Sequence, residues 1–390
     1  MAIGLKELFQ QVEHDLCCHC GTCLASCSYD AIEWVDNVGP GPLQACRDCG
    51  ACFTACPKNF LPMADMQSFV FGPEQPGVDV KDPVFGRYRE VQTVRQNEIA
   101  ALARLALETG MVRAWVGIGT GRNRLGNRSG VLVDRPEDLH RIDVLNEARE
   151  NELIGFDDVT PALTEAVDYH GLDRVGLIGP PCVTEAWRKL QYMPDKKFES
   201  KIGLIIGHYC FGVLRRQALE TMLRERVGIS LDEVRHIGHG LDSTLFYRVE
   251  TTGGKTKTMP ASVVSHYAPD ACITCVDPTA ELADISFGRL GAGAGRFSVI
   301  LRSEAGQRLF RMAAEKGLLA DPQRVPMSGA PMDATDLTLK ALGWGLKAVT
   351  RLPVISAEQE FQLAVLFKKE RGAERETAMK AAGLPVVIRS

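Results

Sequence analysis

Cysteine is the residue type in this chain with the most evident chemistry, because its thiolate binds iron and other soft metals. Nine of the 13 cysteines lie within the first sixty residues, and eight of these nine follow one repeated spacing. Three thiolates on one tight loop can bind three corners of an iron–sulfur cube, whereas a fourth, about one helical turn further on, points towards a second cube. The first sixty residues therefore predict two [4Fe-4S] clusters that carry electrons. Their cysteines form two runs of the spacing C-x2-C-x2-C-x3-C: Cys17, Cys20, Cys23 and Cys27, then Cys46, Cys49, Cys52 and Cys56.

This spacing is typical of bacterial two-cluster ferredoxins, in which the fourth cysteine of each run binds the other cluster. Structural zinc usually takes CxxC pairs separated by a longer loop, and disulfides need an oxidising compartment, so both alternatives fit less well. Cys18 lies between ligands and is expected to be a spare thiol. The crossed assignment predicts a first ferredoxin set, Cys17, Cys20, Cys23 and Cys56, and a second ferredoxin set, Cys46, Cys49, Cys52 and Cys27.

Length and charge limit the class of protein. At 390 residues the chain is too long for a ferredoxin alone and indicates about two or three domains. The net charge of −4 argues against a nucleic-acid partner, which normally needs a basic surface. No apolar run approaches the roughly 18 residues that a membrane span needs. Met1–Glu7 shows no secretion pattern, so the 13 cysteines indicate a reducing compartment and we expect a cytoplasmic protein.

Turn-forming dipeptides and apolar runs divide the chain. Gly72-Pro73, Pro76-Gly77 and Asp82-Pro83 mark a linker. Beyond it, short apolar runs alternate with helical patterns, which is typical of an α/β fold. We predict a two-[4Fe-4S] ferredoxin domain over 1–62, a linker over 63–84, an α/β core over 85–302 and a mainly helical part over 303–390.

Local patterns predict individual elements of the core. Continuous apolar runs are expected in strands that are covered on both faces. Strands are predicted at Ala114–Ile118, Val131–Asp134, Val175–Ile178 and Ile202–Ile206, with a hairpin of Thr244–Glu250 and Lys255–Met259. Helices are predicted at Asn97–Glu108, Glu137–Arg149, Thr184–Leu190 and Leu214–Arg226.

Four further cysteines form what we call the core set: Cys182, Cys210, Cys272 and Cys275. Cys182 and Cys210 each follow a predicted buried strand, and the carboxyl ends of parallel strands meet at one edge of a sheet. Four thiolates gathered there could hold a third [4Fe-4S] cluster. From the residues alone, two alternatives stay open: lone cysteines are often small buried apolar residues, and Cys272-Ile-Thr-Cys275 could bind zinc or act in thiol exchange.

Several segments resemble the coenzyme F420 hydrogenase/dehydrogenase beta-subunit family, and the resemblance covers most of residues 85–390. It implies an α/β (α+β) core of the F420 hydrogenase beta-subunit type behind the small bacterial-type ferredoxin domain. It also implies that the core set holds a [4Fe-4S] cluster beside FAD, and that the flavin exchanges a hydride with coenzyme F420. The segments that carry the resemblance are Phe85–Val91, Val175–Cys182, Lys201–Cys210, Ala271–Gly288 and Gly383–Pro385.

Two glycine-rich stretches are candidates for holding the flavin pyrophosphate, because backbone N–H groups can approach phosphate where side chains are absent. Neither forms GxGxxG between a strand and a helix. At two places the chain departs from the family: Arg95–Glu98 replaces a glycine pair, and Asn151–Ile154 replaces a Gly-Thr/Ser-basic-Tyr stretch. The candidates are Gly119, Thr120, Gly121 and Arg122, and Gly288, Gly291, Gly293, Gly295 and Arg296.

Two functions of different classes follow from these patterns. In the first, the chain is an oxidoreductase subunit that passes electrons between F420, through FAD, and a partner by way of three [4Fe-4S] clusters. In the second, it is a flavin-less three-cluster relay or docking subunit of a larger oxidoreductase. A reductase with another organic acceptor is a third alternative. In each case we expect a hetero-oligomer with a larger redox complex or an electron-carrier protein. Hydride exchange between flavins needs no protein nucleophile, so no catalytic side chain is predicted.

Overall fold

A cysteine-rich N-terminal part packs on a large mixed sheet in this computed structural model. The structure describes residues 16–35, 39–43, 46–58, 61–82, 85–119, 128–145, 155–156, 159–193, 197–210, 212–241, 245–260, 263–264, 266–273, 275, 277–289, 292 and 295–324. The N-terminal part contains two short helices and an antiparallel hairpin: α1 (Thr22–Ala25), β1 (Ile32–Val35), β2 (Gly39–Pro42) and α2 (Ala51–Ala55).

The segment predicted as a linker contains a nine-residue helix, α3 (Met63–Phe71). Met63 and Met66 on this helix pack against the buried Leu282 of the core. A small hairpin follows, formed by β3 (Val80–Asp82) and β4 (Gly86–Tyr88). The helix therefore fixes the path of the chain from the cysteine-rich part to the core.

The central sheet has eight strands in the order β15-β5-β14-β13-β9-β8-β6-β7. Strands β6, β8, β9 and β13 are parallel, whereas β14 lies antiparallel between β13 and β5. The fold class is thus the predicted mixture of α and β structure. The strands are β5 (Glu90–Arg95), β6 (Ala114–Gly119), β7 (Ser129–Val133), β8 (Val175–Gly179), β9 (Ile202–His208), β13 (Ile285–Gly288), β14 (Arg296–Leu301) and β15 (Gln323–Arg324).

Both faces of the central sheet are covered, which explains its continuous apolar runs. Successive side chains of a strand point to opposite faces. Ile178 accordingly packs with α4 (Glu98–Glu108) and α9 (Glu304–Glu315), whereas Leu177 packs with the opposite layer. That layer is built from α5 (Pro161–Thr164), which continues as a π-helical turn over Glu165–Tyr169, and α6 (Pro181–Tyr192), together with part of the cysteine-rich region.

A second, three-stranded antiparallel sheet follows β9. It packs on α7 (Arg216–Met222), which continues as a π-helical turn over Leu223–Val227. Helix α8 (Asp270–Ile273) leads back towards β13. Among the described residues, no helix combines the length and the apolar character that a membrane crossing requires. The strands of this sheet are β10 (Val234–Leu241), β11 (Leu245–Thr251) and β12 (Thr256–Pro260).

Most of the predicted elements lie where the patterns placed them, and one prediction is wrong. No helix spans the described part of Glu137–Arg149; two 3-10 turns, Pro136–Arg141 and Asp143–Leu145, occupy it instead, and 146–149 lie outside the described residues. The reason is Ile142, which has extended backbone and is completely buried over Gly117. In the predicted mainly helical part over 303–390, α9 is present and residues from 325 on lie outside the described residues.

Gly86 offers a test of the packing between β4 and the core. Its φ is 72°, and a Cβ at this position would collide with the carboxylate of the buried Glu281. Gly86→Ala is therefore expected to lower the free energy of unfolding by about 2–4 kcal/mol, from left-handed strain and overpacking together.

Gly77→Ala is the matched control, because Gly77 has a φ of 80° and no atom lies close to the methyl group that alanine would add. Strain alone should cost it about 1–2 kcal/mol. Urea denaturation of the two variants measures the difference. Equal losses of stability at both positions would contradict the proposed collision.

Candidate functional site

The central sheet brings several of the site residues that were predicted for the core to one edge. Strands β6, β8, β9, β13 and β5 all end at this edge, since β14 reverses direction between the last two. Cys182 follows β8 in the first turn of α6, and Cys210 follows β9. Gly119 ends β6 and Gly288 ends β13. The cysteines therefore lie between the two glycine-rich candidate stretches.

The core set is assembled from three parts of the chain. Cys210 and Cys275 lie close enough to Cys182 to oppose its ionisation, and Cys275 opposes that of Cys272. Backbone bonds hold the loops: the Cys210 N–H donates to Pro278 O at 3.0 Å, and the Cys275 N–H donates to Cys272 O at 3.2 Å. Burial raises the pKa of the Cys272 thiol. Four thiols close enough to oppose each other's ionisation are thus gathered where the sequence placed them.

The two N-terminal cysteine loops have the same backbone geometry. His19 and Asp48 occupy equivalent positions in the two runs, and both have left-handed φ, 57° and 50°. In each loop their N–H donates to the sulfur of the first cysteine, Cys17 or Cys46, at 3.4 Å. A glycine with positive φ then precedes each short helix. The sequence repeat is therefore also a structural repeat, and N–H groups point at sulfur in both copies.

The fourth cysteine of each run approaches the other loop. Cys17, Cys56 and also Cys52 oppose the ionisation of Cys23, whereas Cys49 and Cys27 oppose that of Cys52. Burial raises the pKa of Cys17 to about 12 and that of Cys52 to about 11. The structure thus brings Cys56 towards Cys23 and Cys27 towards Cys52, as the crossed assignment requires; that the two ferredoxin sets bind clusters stays a prediction.

Side chains of the core hold the cysteine-rich part through the backbone of two predicted ligand residues. The Thr160 hydroxyl donates to Cys20 O at 2.5 Å, and the Lys189 ammonium donates to Cys56 O at 2.6 Å. Cys20, Ala25 and Ala55 also pack in one apolar cluster with Trp187 of α6. The first ferredoxin set therefore faces the core, whereas Cys49 of the second ferredoxin set is exposed.

Two residues that the sequence did not single out as functional lie between the core set and the first ferredoxin set. The Cys18 thiol is hydrogen-bonded to Cys182 and to Cys20. The bond to Cys182 raises the pKa of Cys18, and the bond to Cys20 lowers it. Burial also raises this pKa, which therefore lies well above its usual value. The Lys58 ammonium donates to Ala271 O at 3.2 Å, next to Cys272. Nothing local in the sequence marks either role, because both depend on how the two parts pack.

The donor sets fit [4Fe-4S] clusters chemically. None of the 13 cysteines, all of which lie in the described residues, forms a disulfide. Burial among other thiols disfavours the charged form of Cys17, Cys23 and Cys272. Metal binding removes such protons, so a cluster would relieve this repulsion. Within the described residues, no three His, Cys, Asp or Glu side chains converge on a point suited to a single metal ion. Each thiolate of a cube binds a separate iron, so the ligands of a cluster need not converge in that way.

The described flavin candidates fit their assigned role less well. A Cβ on Gly119 would meet Arg141 O and Val131, and a Cβ on Gly288 would meet the Tyr209 ring. Both glycines therefore accommodate protein neighbours. The Arg296 guanidinium donates to Thr93 O at 3.0 Å and to Asp321 O at 2.5 Å. Of the described candidates Gly295 alone has open space beside it, and Thr120, Gly121, Arg122, Gly291 and Gly293 lie outside the described residues.

The departure from the family at Arg95–Glu98 lies directly beside the second glycine-rich stretch. The Gln96 N–H donates to Gly295 O at 3.4 Å. The buried Glu98 carboxylate accepts the Arg95 N–H and the Ala320 N–H, each at 2.7 Å. Side-chain bonds thus fill the start of α4, where a glycine pair would leave the backbone open. The second departure, Asn151–Ile154, lies outside the described residues.

Comparison with known proteins identifies similar chains. A family model for the C-terminal part of the coenzyme F420 hydrogenase/dehydrogenase beta subunit matches residues 172–323. The chain is 26% identical over 249 residues to the beta subunit of the coenzyme F420 hydrogenase of Methanothermobacter thermautotrophicus, covering 60% of this chain and 84% of the relative. It is 26% identical over 333 residues to the F subunit of the F420H2 dehydrogenase of Methanosarcina mazei, covering 81% of this chain and 88% of that one.

A solved structure shares the fold. It is a chain of the F420-reducing [NiFe] hydrogenase complex from Methanosarcina barkeri, with a TM-score of 0.57 and 22% sequence identity. The match covers 75% of this chain and 96% of that chain. The match covers nearly all of the neighbouring chain although the sequence identity is low, so the similarity shows a shared fold.

Proposed function

We propose that the chain, which is similar to beta subunits of the coenzyme F420 hydrogenase/dehydrogenase family, passes electrons between coenzyme F420 and a partner redox complex. Its relatives are subunits of F420-linked oxidoreductases by name, including a hydrogenase and a dehydrogenase. The observation that carries the proposal is the contact between the core set and the first ferredoxin set, across which Cys18 bonds to both.

Three groups of this chain's cysteines would hold three [4Fe-4S] clusters, which supply one-electron carriers. The core set lies at the sheet edge, the first ferredoxin set faces it, and the second ferredoxin set includes the exposed Cys49. Thr160 and Lys189 hold the ferredoxin part against the core. The exposed side of the second ferredoxin set is the place where a larger redox complex or an electron-carrier protein would dock, giving a hetero-oligomer.

Hydride exchange with F420 requires a group that accepts two electrons and releases them singly, and FAD supplies this chemistry. The sheet edge beside Gly295 is where this chain would hold it. A flavin-less relay subunit is the second candidate, and the filled space beside Gly119 and Gly288 and the occupied Arg296 favour it. The two candidates share the clusters and differ in the flavin.

Anaerobic purification followed by measurement of iron, acid-labile sulfide and released flavin tests the proposal. We expect about twelve irons and about one FAD per chain, and bleaching of the cluster absorbance when reduced F420 is added. About twelve irons without flavin, even after incubation with FAD, would establish the relay subunit instead. About eight irons would show that the core set holds no cluster, and the proposal would fail.

A further inference from the structure

Lys58 places a positive charge from the ferredoxin part next to the cysteines of the core. It lies two residues after Cys56, the last ligand of the first ferredoxin set. Its ammonium nevertheless donates across the interface to Ala271 O at 3.2 Å, immediately before Cys272. The side chain is partly buried, and the acidic groups around the ammonium are Cys275, Cys18, Glu185 and Cys182.

Two of these four neighbours, Cys275 and Cys182, belong to the core set, and none belongs to the first ferredoxin set. Lys189, the other lysine at this interface, instead donates to Cys56 O. The positive charge of Arg215 acts to lower the pKa of both Cys17 and Cys272, so Arg215 lies between the first ferredoxin set and the core set. Lys58 therefore interacts with the core cysteines Cys182, Cys272 and Cys275, although it belongs to the ferredoxin part.

The potential of an iron–sulfur cluster depends on its net charge, on hydrogen bonds to its sulfurs and on exposure to solvent. Reduction adds one negative charge to the cluster, and a nearby cation stabilises the reduced form more than the oxidised form. An ammonium held by Ala271 beside the core thiolates consequently makes the core cluster easier to reduce.

We propose that Lys58 is a positioning residue of the ferredoxin part that raises the reduction potential of the core cluster. The proposal rests on the proposed function, because it requires a cluster in the core set. It assigns the docked ferredoxin part a second role: besides holding its own clusters, it completes the electrostatic environment of the neighbouring one.

The test is a redox titration of the anaerobic holoprotein followed by electron paramagnetic resonance, with Lys58→Met, Lys58→Gln and Lys58→Arg compared with the unsubstituted chain. The resonance signal of the core cluster is identified as the signal that is absent from the spectrum of Cys272→Ser. At a fixed potential, the ratio of reduced to oxidised core cluster should fall about tenfold in Lys58→Met, which equals about 59 mV for a one-electron couple. Lys58→Gln should lower the potential of the core cluster by a similar amount. Lys58→Arg keeps the positive charge and should leave that potential close to the value in the unsubstituted chain.

Glu185→Gln and Lys197→Met complete the experiment. Glu185 is an opposing charge beside the same ammonium, so its neutralisation should raise the potential of the core cluster. Lys197 lies on the surface, 3.1 Å from Asp168, and its substitution should leave all potentials unchanged. If the potential of the core cluster is unchanged in the Lys58 and Glu185 variants while about twelve irons are present, the role given to Lys58 is overturned and the proposed function is not. About eight irons in the unsubstituted chain would instead overturn the proposed function.

Discussion

Cys272→Ser is expected to remove one of the three proposed clusters and to lower the iron content from about twelve to about eight per chain. Cys272 lies in α8 and is held by the bond of its N–H to Pro269 O at 2.8 Å. Its thiol cannot be replaced by a hydroxyl, which binds iron far less well than a soft thiolate does. Reduced F420 should then no longer reduce the ferredoxin clusters, although both remain in place.

Cys18→Ser is the matched control for that experiment. Cys18 lies as close to the core set as a ligand would, since it bonds to Cys182, but it belongs to neither predicted ferredoxin set. Its substitution should leave about twelve irons per chain. Iron analysis and the cluster absorbance of the two variants test whether Cys272, and not Cys18, is a ligand of the proposed core cluster. A loss of iron in Cys18→Ser with none in Cys272→Ser would contradict the core set as defined.

Arg302→Met is expected to destabilise the fold by about 3–5 kcal/mol, because it removes one partner from a buried charged network. Arg302 is completely buried and lies directly after β14. Its guanidinium donates to Phe85 O at 2.6 Å, to Arg87 O at 3.0 Å and to Thr279 O at 3.1 Å. It thereby ties the start of the core to the segment that follows Cys275.

Methionine fills a similar volume, so the loss should come from carbonyl groups left without this donor and from the buried Asp277, whose charge interacts with the guanidinium. Urea denaturation followed by tryptophan fluorescence measures it, since Trp115 and Trp187 are completely buried. Arg324→Met is the control: Arg324 is 77% exposed, and its substitution should change stability by less than about 0.5 kcal/mol. Equal midpoints for the two variants would contradict the role given to Arg302.

The apolar runs predicted the centre of the sheet because both of its faces are covered. Val175–Ile178 and Ile202–Ile206 are recognisable without any partner, since all their positions are apolar. Strands β5 and β14 were not predicted. Their pairing joins Arg95 to Arg296, residues about two hundred positions apart, and no local pattern specifies such a register. Ile142 likewise ended a predicted helix for a tertiary reason, the space left over Gly117.

The candidate site likewise contains residues that local sequence predicts and residues that it does not. Fixed spacing predicted the two ferredoxin sets, because a tight loop can place three thiolates at three corners of one cube; that these thiolates bind iron stays a prediction. Thr160, Lys189 and Lys58 have no such spacing, and their roles arise only when the ferredoxin part packs on the core. The left-handed backbone of His19 and Asp48 was also not predicted, since neither residue type requires it.

The bonds from Thr160 and Lys189 have a consequence for movement. They end on the carbonyl oxygens of Cys20 and Cys56, within the loops that carry the thiols. A ferredoxin that swung away to meet its acceptor would have to break these bonds and expose the apolar cluster around Trp187. We therefore expect folding to fix the distances between neighbouring cysteine sets, so that the proposed partner would have to bind at the exposed second ferredoxin set.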